Sequence, residues 1–484
     1  MSREPHRWAA PVDDRGVGGS TRGLDDVDMG EKAEEAAALA FGQRVDAAEV
    51  VAGGRALRDE VGHEEQGVLS LAADRPGAVE FVEASNAGRL ADLVPLRVGR
   101  MVASPFSFFR GAAGLMAADL AAGVRTGVHA QLCGDAHAAN MGLFGTPEGK
   151  VVMDINDFDE TVPGPWEWDL KRLATSLVLA GREGGVPEDR CREAAEDVVK
   201  SYRKTLNRLA EQPFLESWSA LGDESALRDA EADALEDDFA KAARKAGRNT
   251  SSRVAARWTH RADDEWRFVP DPPLLSAVDD GVRAAVVAAL PHYVTSLRES
   301  RRNLVLRYGV SDVAFRVVGT GSVGFRNYLV LLHGNGDEAL VLQVKEAPRS
   351  AVAEVLGLPP AKHEGKRVVH GARLVQAETD ILLGWTTVRG RHFIVRQFRN
   401  RKGEIDPTAL GRGHLDDYGR LAGALLARAH VRSVDPRLLA GYCGKDLDDA
   451  IGGYAVAYAD RTEADHAELV AAVRSGRLAA TTEV

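Results

Sequence analysis

Between Leu132 and Ala174 a carboxylate, an imidazole and a carboxamide fall in one short run, Gly134-Asp135-Ala136-His137-Ala138-Ala139-Asn140, and three more carboxylates follow at Asp154, Asp157 and Asp159. Phosphoryl transfer is a chemistry that uses such a set. One Asp orients or deprotonates the attacking hydroxyl, an Asn five residues on binds a metal, and a second Asp across a short hairpin completes the Mg²⁺ site. On this reading Asp135 is the catalytic carboxylate and His137 braces its loop. Asn140 and Asp157 hold Mg²⁺, with Asp154 and Asp159 placed to join or replace Asp157.

Positioning these groups falls to three predicted elements. Asn140 to Leu143, Gly145 to Lys150 and Val151 to Ile155 read as strand, glycine-containing turn and strand, a hairpin that brings Asn140 and Asp157 together. Gly164-Pro165 then breaks the chain. From Trp166 to Val178 the apolar residues Trp166, Leu170, Leu173 and Leu177 recur at helical spacing, which places Asp169 in the first turns, where a carboxylate suits the helix dipole.

The order GDxHxxN, apolar strand, Asp-Phe, then the Asp of an Asp-Leu helix resembles aminoglycoside phosphotransferases and choline-kinase-type small-molecule kinases. Most of the chain also resembles the bacterial family called domain of unknown function 2252, through SPFSFFRGAA, LCGDAHAAN, NDFDETVPGPWEWDLKRLA, LQVKEA and LLARAHVRS. The kinase resemblance implies a protein-kinase-like two-lobed α+β fold with ATP and Mg²⁺ as cofactors.

Strands dominate from Ala314. AFRVVGTGSVGFRNYLVLLHG and ALVLQVKEA flank the turn GNGDE. Gly319-Thr320-Gly321-Ser322-Val323-Gly324 reads either as a plain hairpin or as a phosphate cradle like a kinase glycine-rich loop, with Gly319, Gly321, Ser322 and Gly324 letting backbone amides approach phosphates. Lys345 on the following strand matches the kinase lysine that holds the α- and β-phosphates. The resemblance asks for a helix glutamate beside that lysine, and Glu354, Glu364 and Glu378 all qualify. Asp380 to Trp385 and Arg391 to Phe398 read as two further strands around Val388-Arg389-Gly390, the second running into a hinge. Leu415 to Val431 is a strong helix, in which His430 reads as a structural hydrogen-bonder.

This order is not that of an ordinary kinase, because the glycine loop and lysine follow the catalytic loop. Two unrelated hairpins are one explanation. The favoured one is circular permutation: a disordered tail over 1–33, a helical lobe with the catalytic and metal loops over 34–311, a sheet lobe over 312–401, and C-terminal helices over 402–484 that complete the helical lobe.

The 484 residues carry a formal net charge of −11 and are 45% hydrophobic, enough for real cores and unlike a general nucleic-acid binder. Cys133, Cys191 and Cys443 lie far apart with no CxxC pair, and no apolar run is long enough for a signal core or a membrane span, which fits a cytoplasmic protein. Phe106, Phe108 and Phe109 beside Arg110 read as a packed corner or a substrate contact. Leu227 to Arg261 reads as a solvated helix pair with a mobile loop, or as a cover over an anionic substrate. The expected partner is a small hydroxylated molecule, because the short interval between Asp157 and Asp169 leaves no room for a peptide-binding activation loop. Asp159 and Glu160 would suit a cationic acceptor; Arg97, Arg100 and Arg110 an anionic one. A non-catalytic nucleotide-binding module and a nucleotidyl transferase are the alternatives, and the oligomeric state stays open.

Overall fold

Serine and proline open the first element that matters for the site. In the computed structural model, which describes residues 46–219, 224–262, 265–336, 338–411 and 413–481, Ser104 accepts a hydrogen bond from the Ser107 amide and starts Pro105–Arg110 (α1). Phe106, Phe108 and Phe109 are all buried there, the packed corner expected of an aromatic cluster. His129–Gln131 (β1) pairs antiparallel with Pro163–Pro165, and between them Met141–Gly145 (β2) and Val151–Ile155 (β3) form the predicted hairpin, Met141 opposite Ile155. Pro163–Pro165 (β4) leads directly into Trp166–Glu183 (α2), whose Trp166, Leu170, Leu173 and Leu177 are fully buried.

Helix Glu188–Glu211 (α3) buries Ala194, Val198, Tyr202 and Leu206, the stripe its spacing predicts. The charged segment then forms Glu236–Gly247 (α4) and Ser251–Trp258 (α5), followed by the hairpin Thr259–Ala262 (β5) and Glu265–Phe268 (β6).

A six-stranded antiparallel sheet comes next, built from Leu275–Ala277 (β7), Gly309–Arg316 (β8), Asn327–His333 (β9), Ala339–Glu346 (β10), Gly384–Val388 (β11) and Arg391–Gln397 (β12) in the order β11-β12-β10-β9-β8-β7. Asp280–Ser296 (α6) packs Val286 and Tyr293 against Tyr328, Val330 and Val344 on one face of the sheet. On the other face Val254 and Ala255 of α5 meet Leu329, Leu331 and Val341. The sheet unit therefore reaches upstream of 312 to Leu275. Its penultimate strand also begins later than Asp380, because the Asp380 carboxylate accepts from the Leu382 and Gln397 amides and closes a turn instead.

Ala351–Val355 (α7) and Glu364–Val375 (α8) cross from β10 to β11. His414–His430 (α9) and Asp446–Arg474 (α10) return to the helical body, where Leu421, Leu425, Ile451 and Tyr454 share one core with α2 and α3. The architecture is α+β. No helix among the described residues is long and apolar enough to cross a membrane. The expected tail at 1–33 lies outside the described residues.

Candidate functional site

Gly134 sets the turn that presents Asp135. Its φ is +80°, and a Cβ there would stand 2.3 Å from the Glu160 carbonyl oxygen, so both conformation and space call for glycine. Asp169, buried in the first turn of α2, accepts from the amides of Cys133 at 2.6 Å and Gly134 at 3.0 Å and so fastens the loop to the helix. Behind it the buried His430 stands with Nε2 3.5 Å from Asp169 and Nδ1 2.8 Å from the Tyr202 hydroxyl, a hydrogen-bonding role away from the cleft.

Arg172, one turn further along α2, places Nε and Nη2 at 2.7 and 2.5 Å from a single oxygen of Asp135. The other oxygen, Oδ2, lies 3.8 Å from Nε2 of His137. Burial pushes His137 down to about 4, with Arg110 and Arg172 acting in the same direction and Asp135 against them, so the imidazole is neutral at physiological pH. Its Nδ1 is buried without a hydrogen-bond partner, as is Nε of Arg110.

The hairpin brings the metal candidates together as its register requires. Asn140 donates from Nδ2 to the backbone carbonyls of Asp135 and Asp157, both at 3.1 Å, which leaves its Oδ1 as the free end of the carboxamide. Lys345 of β10 reaches across to Asp157, with Nζ 3.1 and 3.2 Å from its two oxygens, and to Asp159 Oδ2 at 2.6 Å. Burial opposes the Asp157 charge, but Lys345, Arg396 and Lys402 outweigh it and hold this carboxyl well below its usual range. Asp159 moves the other way, raised by burial and then by Asp157. Burial also opposes the charge on Lys345, yet the two carboxylates keep it protonated. Asn140 Oδ1, Asp157 and the unpartnered Oδ1 of Asp159 are oxygen donors of the kind Mg²⁺ takes, so the residues present fit the ion.

Asp154 is not part of this cluster. Its oxygens accept from the Ile155 amide at 2.8 Å and the Ala377 amide at 3.3 Å, burial raises it to about 6, and it shares no partner with Asp157 or Asp159. Its expected metal role is corrected on that ground. None of the three candidate glutamates pairs with Lys345 either. Glu364 holds Arg367 at 2.5 Å, Glu354 lies 3.7 Å from Arg349, and Glu378 neighbours Arg432. Glu160 is also engaged, accepting from the Ser350 hydroxyl at 2.7 Å, and Arg97 is buried against Asn86, Ser85 and the Gly111 carbonyl.

The glycine loop joins β8 to β9 and lies over this cluster. Ser322 Oγ donates to Asp159 Oδ2 at 3.3 Å. Arg89, absent from the sequence reading, donates to the carbonyls of Gly321 and Val323, and Arg100 donates to that of Gly319. With its carbonyls drawn to these guanidiniums, the loop is held down by the 89–100 segment that precedes the catalytic stretch. Below β12 and α8 a narrow cleft runs beside Asp157, lined by Phe158, Val368, Ala372, Leu383, Ile394 and Lys402 among others. An apolar cleft with a few convergent polar groups is the ordinary form of a small-molecule site. Arg89 and Lys402 carry no spacing signal of their own; Arg172, one turn after Asp169, has a position that helical periodicity assigns to the same face.

A family model described as "Uncharacterized protein conserved in bacteria (DUF2252)" matches residues 89–472. No curated protein and no solved structure matches the chain.

Proposed function

The chain belongs to the DUF2252 family of bacterial proteins, and we propose that it is an ATP- and Mg²⁺-dependent phosphotransferase acting on a hydroxyl of a small molecule. The observation that carries this reading is the meeting of Lys345 with Asp157 across 188 residues of chain. Two unrelated hairpins have no reason to converge. A glycine loop, a strand lysine and an Asn–Asp pair do so when all of them serve one phosphate chain.

In this proposal the base of ATP enters the apolar cleft, and the Gly319–Gly324 amides and Lys345 receive the phosphates. Asn140, Asp157 and Asp159 hold Mg²⁺, which supplies charge neutralisation on the phosphates when bound. Lys345 exchanges carboxylate partners for phosphate as the nucleotide arrives. Asp135 Oδ2 accepts the hydrogen of the acceptor hydroxyl and aims its oxygen. Arg172 holds Asp135 fixed through Oδ1, so the first task of this carboxylate is orientation, which suffices for a loose phosphoryl-transfer transition state. Arg110 and neutral His137, each with an unpartnered buried nitrogen, line the place where the acceptor would stand.

The fold belongs to the same proposal. The sheet lobe stands between helical segments that share one core, and reading from β8 to the C-terminus and then from Leu132 restores the kinase order of glycine loop, lysine, helix, hinge and catalytic loop. We therefore read the chain as a circularly permuted protein-kinase-like fold acting in the cytoplasm. A nucleotidyl transferase and a non-catalytic nucleotide-binding module would use the same cradle. Incubation with ATP, Mg²⁺ and a pool of hydroxylated metabolites, followed by mass spectrometry, separates them: an added phosphoryl group supports the proposal, an added AMP supports the transferase, and nucleotide binding with no product supports the module.

A further inference from the structure

Most arginines in the helical body are spent on carboxylates: Arg75 on Asp119 and Asp465, Arg182 on Glu188 and Asp460, Arg203 on Asp448, Arg420 on Asp197. Beside the cleft this pattern stops. Lys241, Arg244, Lys245 and Arg248 lie at positions i, i+3, i+4 and i+7 of α4 and its C-cap, one face of the helix, and Arg253 and Arg257 of α5 face the same groove. All six are exposed, and none makes an ion pair or side-chain hydrogen bond among the described residues. Arg399 and Lys402 extend the lining, against one acid, Glu404.

Such clustering works against the fold. Like charges one turn apart repel. The helix dipole favours the basic last turn of α4 but accounts neither for Lys241 nor for the convergence of α5 on the same space. The walls are also fixed rather than loose. Asn249 Nδ2, between the two helices, donates to the Lys402 carbonyl at 2.6 Å, and Ser251 Oγ to the Phe398 carbonyl at 3.0 Å. The same segment is zipped to β2 through Leu143 and Gly403, whose amides and carbonyls bond reciprocally at 2.8 and 2.9 Å. The groove therefore has a rigid floor, and Lys402 lines both it and the cleft beside Asp157.

We propose that the groove between α4, α5 and the 399–404 segment is a binding site for a small molecule carrying several phosphate groups, distinct from the cradle of the glycine loop. Arginine forks suit phosphate oxygens bidentately, and a fan of cations from two helices suits several phosphates rather than one. A compact polyanion fits better than a nucleic acid strand, because a chain of net charge −11 offers a long polyanion no general attraction beyond the groove.

The site stands whether or not phosphotransfer occurs, and inorganic tripolyphosphate tests it without a nucleoside. Titration calorimetry on the full chain in the absence of Mg²⁺ should show binding that weakens at least tenfold in Arg244→Glu/Arg248→Glu/Arg253→Glu, three exposed substitutions, and persists in Lys345→Met. Binding of a non-hydrolysable ATP analogue with Mg²⁺ should survive the triple substitution. Equal tripolyphosphate affinity in wild type and triple variant, or no binding by wild type, overturns the proposal. So does loss of binding in Lys345→Met alone, which would place the anion in the cradle. A single-stranded oligonucleotide that binds the groove more tightly than tripolyphosphate does would overturn the small-molecule assignment.

Discussion

Arg172 grips Asp135 by one oxygen, with Nε and Nη2 at 2.7 and 2.5 Å from Oδ1, while its Nη2 also bonds the Phe109 carbonyl at 2.8 Å and its guanidinium lies 4.1 Å over the Phe109 ring. The candidate catalytic carboxylate is thus aimed by a buried, stacked fork. An ammonium cannot reproduce that geometry. The prediction is that Arg172→Lys keeps the fold and nucleotide affinity but lowers kcat for phosphotransfer about 10²-fold, the scale of a small misplacement of a reacting group. Steady-state kinetics would check it; an unchanged kcat would mean that Asp135 needs no positioning.

Lys345 neutralises two carboxylates that otherwise face each other. Replacing it by methionine should cost stability, about 1–3 kcal/mol for the charged hydrogen bonds lost in a partly buried pair. The same variant should bind Mn²⁺ or Mg²⁺ more tightly than wild type when no nucleotide is present, because the competing cation is gone. Thermal unfolding with and without metal reads both effects. Weaker metal binding in Lys345→Met would show that Asp157 and Asp159 are not ligands.

Asp169 serves the loop, not the chemistry. Asp169→Ala orphans the buried Cys133 and Gly134 amides and should destabilise by roughly 2–6 kcal/mol, at about 1–3 for each. Asp169→Asn keeps one acceptor and should lose about half as much. Denaturant unfolding separates the two, and equal losses would contradict the paired-amide role.

Asp154 gives a pH signature. Its folded value of about 6 lies above the ordinary 3.8, so the folded state binds more protons between those limits, and this group's contribution makes stability fall as pH rises from about 4 to about 6. Asp157, held low, contributes with the opposite sign, its stabilisation present above about pH 4 and lost as pH falls further. Asp154→Asn removes the first term only. Relative to wild type, the variant should therefore gain stability between pH 4 and pH 6 and hold that gain at pH 7, as measured by Tm. A difference independent of pH would show that Asp154 titrates normally.

Local pattern accounts for what was legible in the sequence. Turn glycines and apolar runs marked β2 and β3, and the helical stripe marked α2, so the joining of Asn140 to Asp157 followed from spacing. Asp154 misled for a physical reason: β3 is buried on both faces, so alternation did not say which way a carboxylate points. The partner of Lys345 was illegible because it lies 188 residues away and is an aspartate pair, where the kinase resemblance offered three glutamates. Arg89 and Arg100, which hold the glycine loop from the segment before the catalytic stretch, were illegible for the same reason: a carbonyl acceptor leaves no trace in residue identity. The six cations around α4 and α5 were visible as charge, but only the folded chain shows that they converge on one groove with Glu404 as the one acid in its lining.

The most direct measurement is transfer of the labelled γ-phosphate of ATP to a pool of hydroxylated metabolites, with Mg²⁺, by wild type, Asp135→Asn and Asp157→Asn. The account predicts a labelled small molecule with wild type, and loss of about 10²- to 10⁴-fold in each variant with Asp135→Asn still binding ATP. Full transfer by folded Asp135→Asn and Asp157→Asn, or labelled protein with no labelled metabolite, would contradict it.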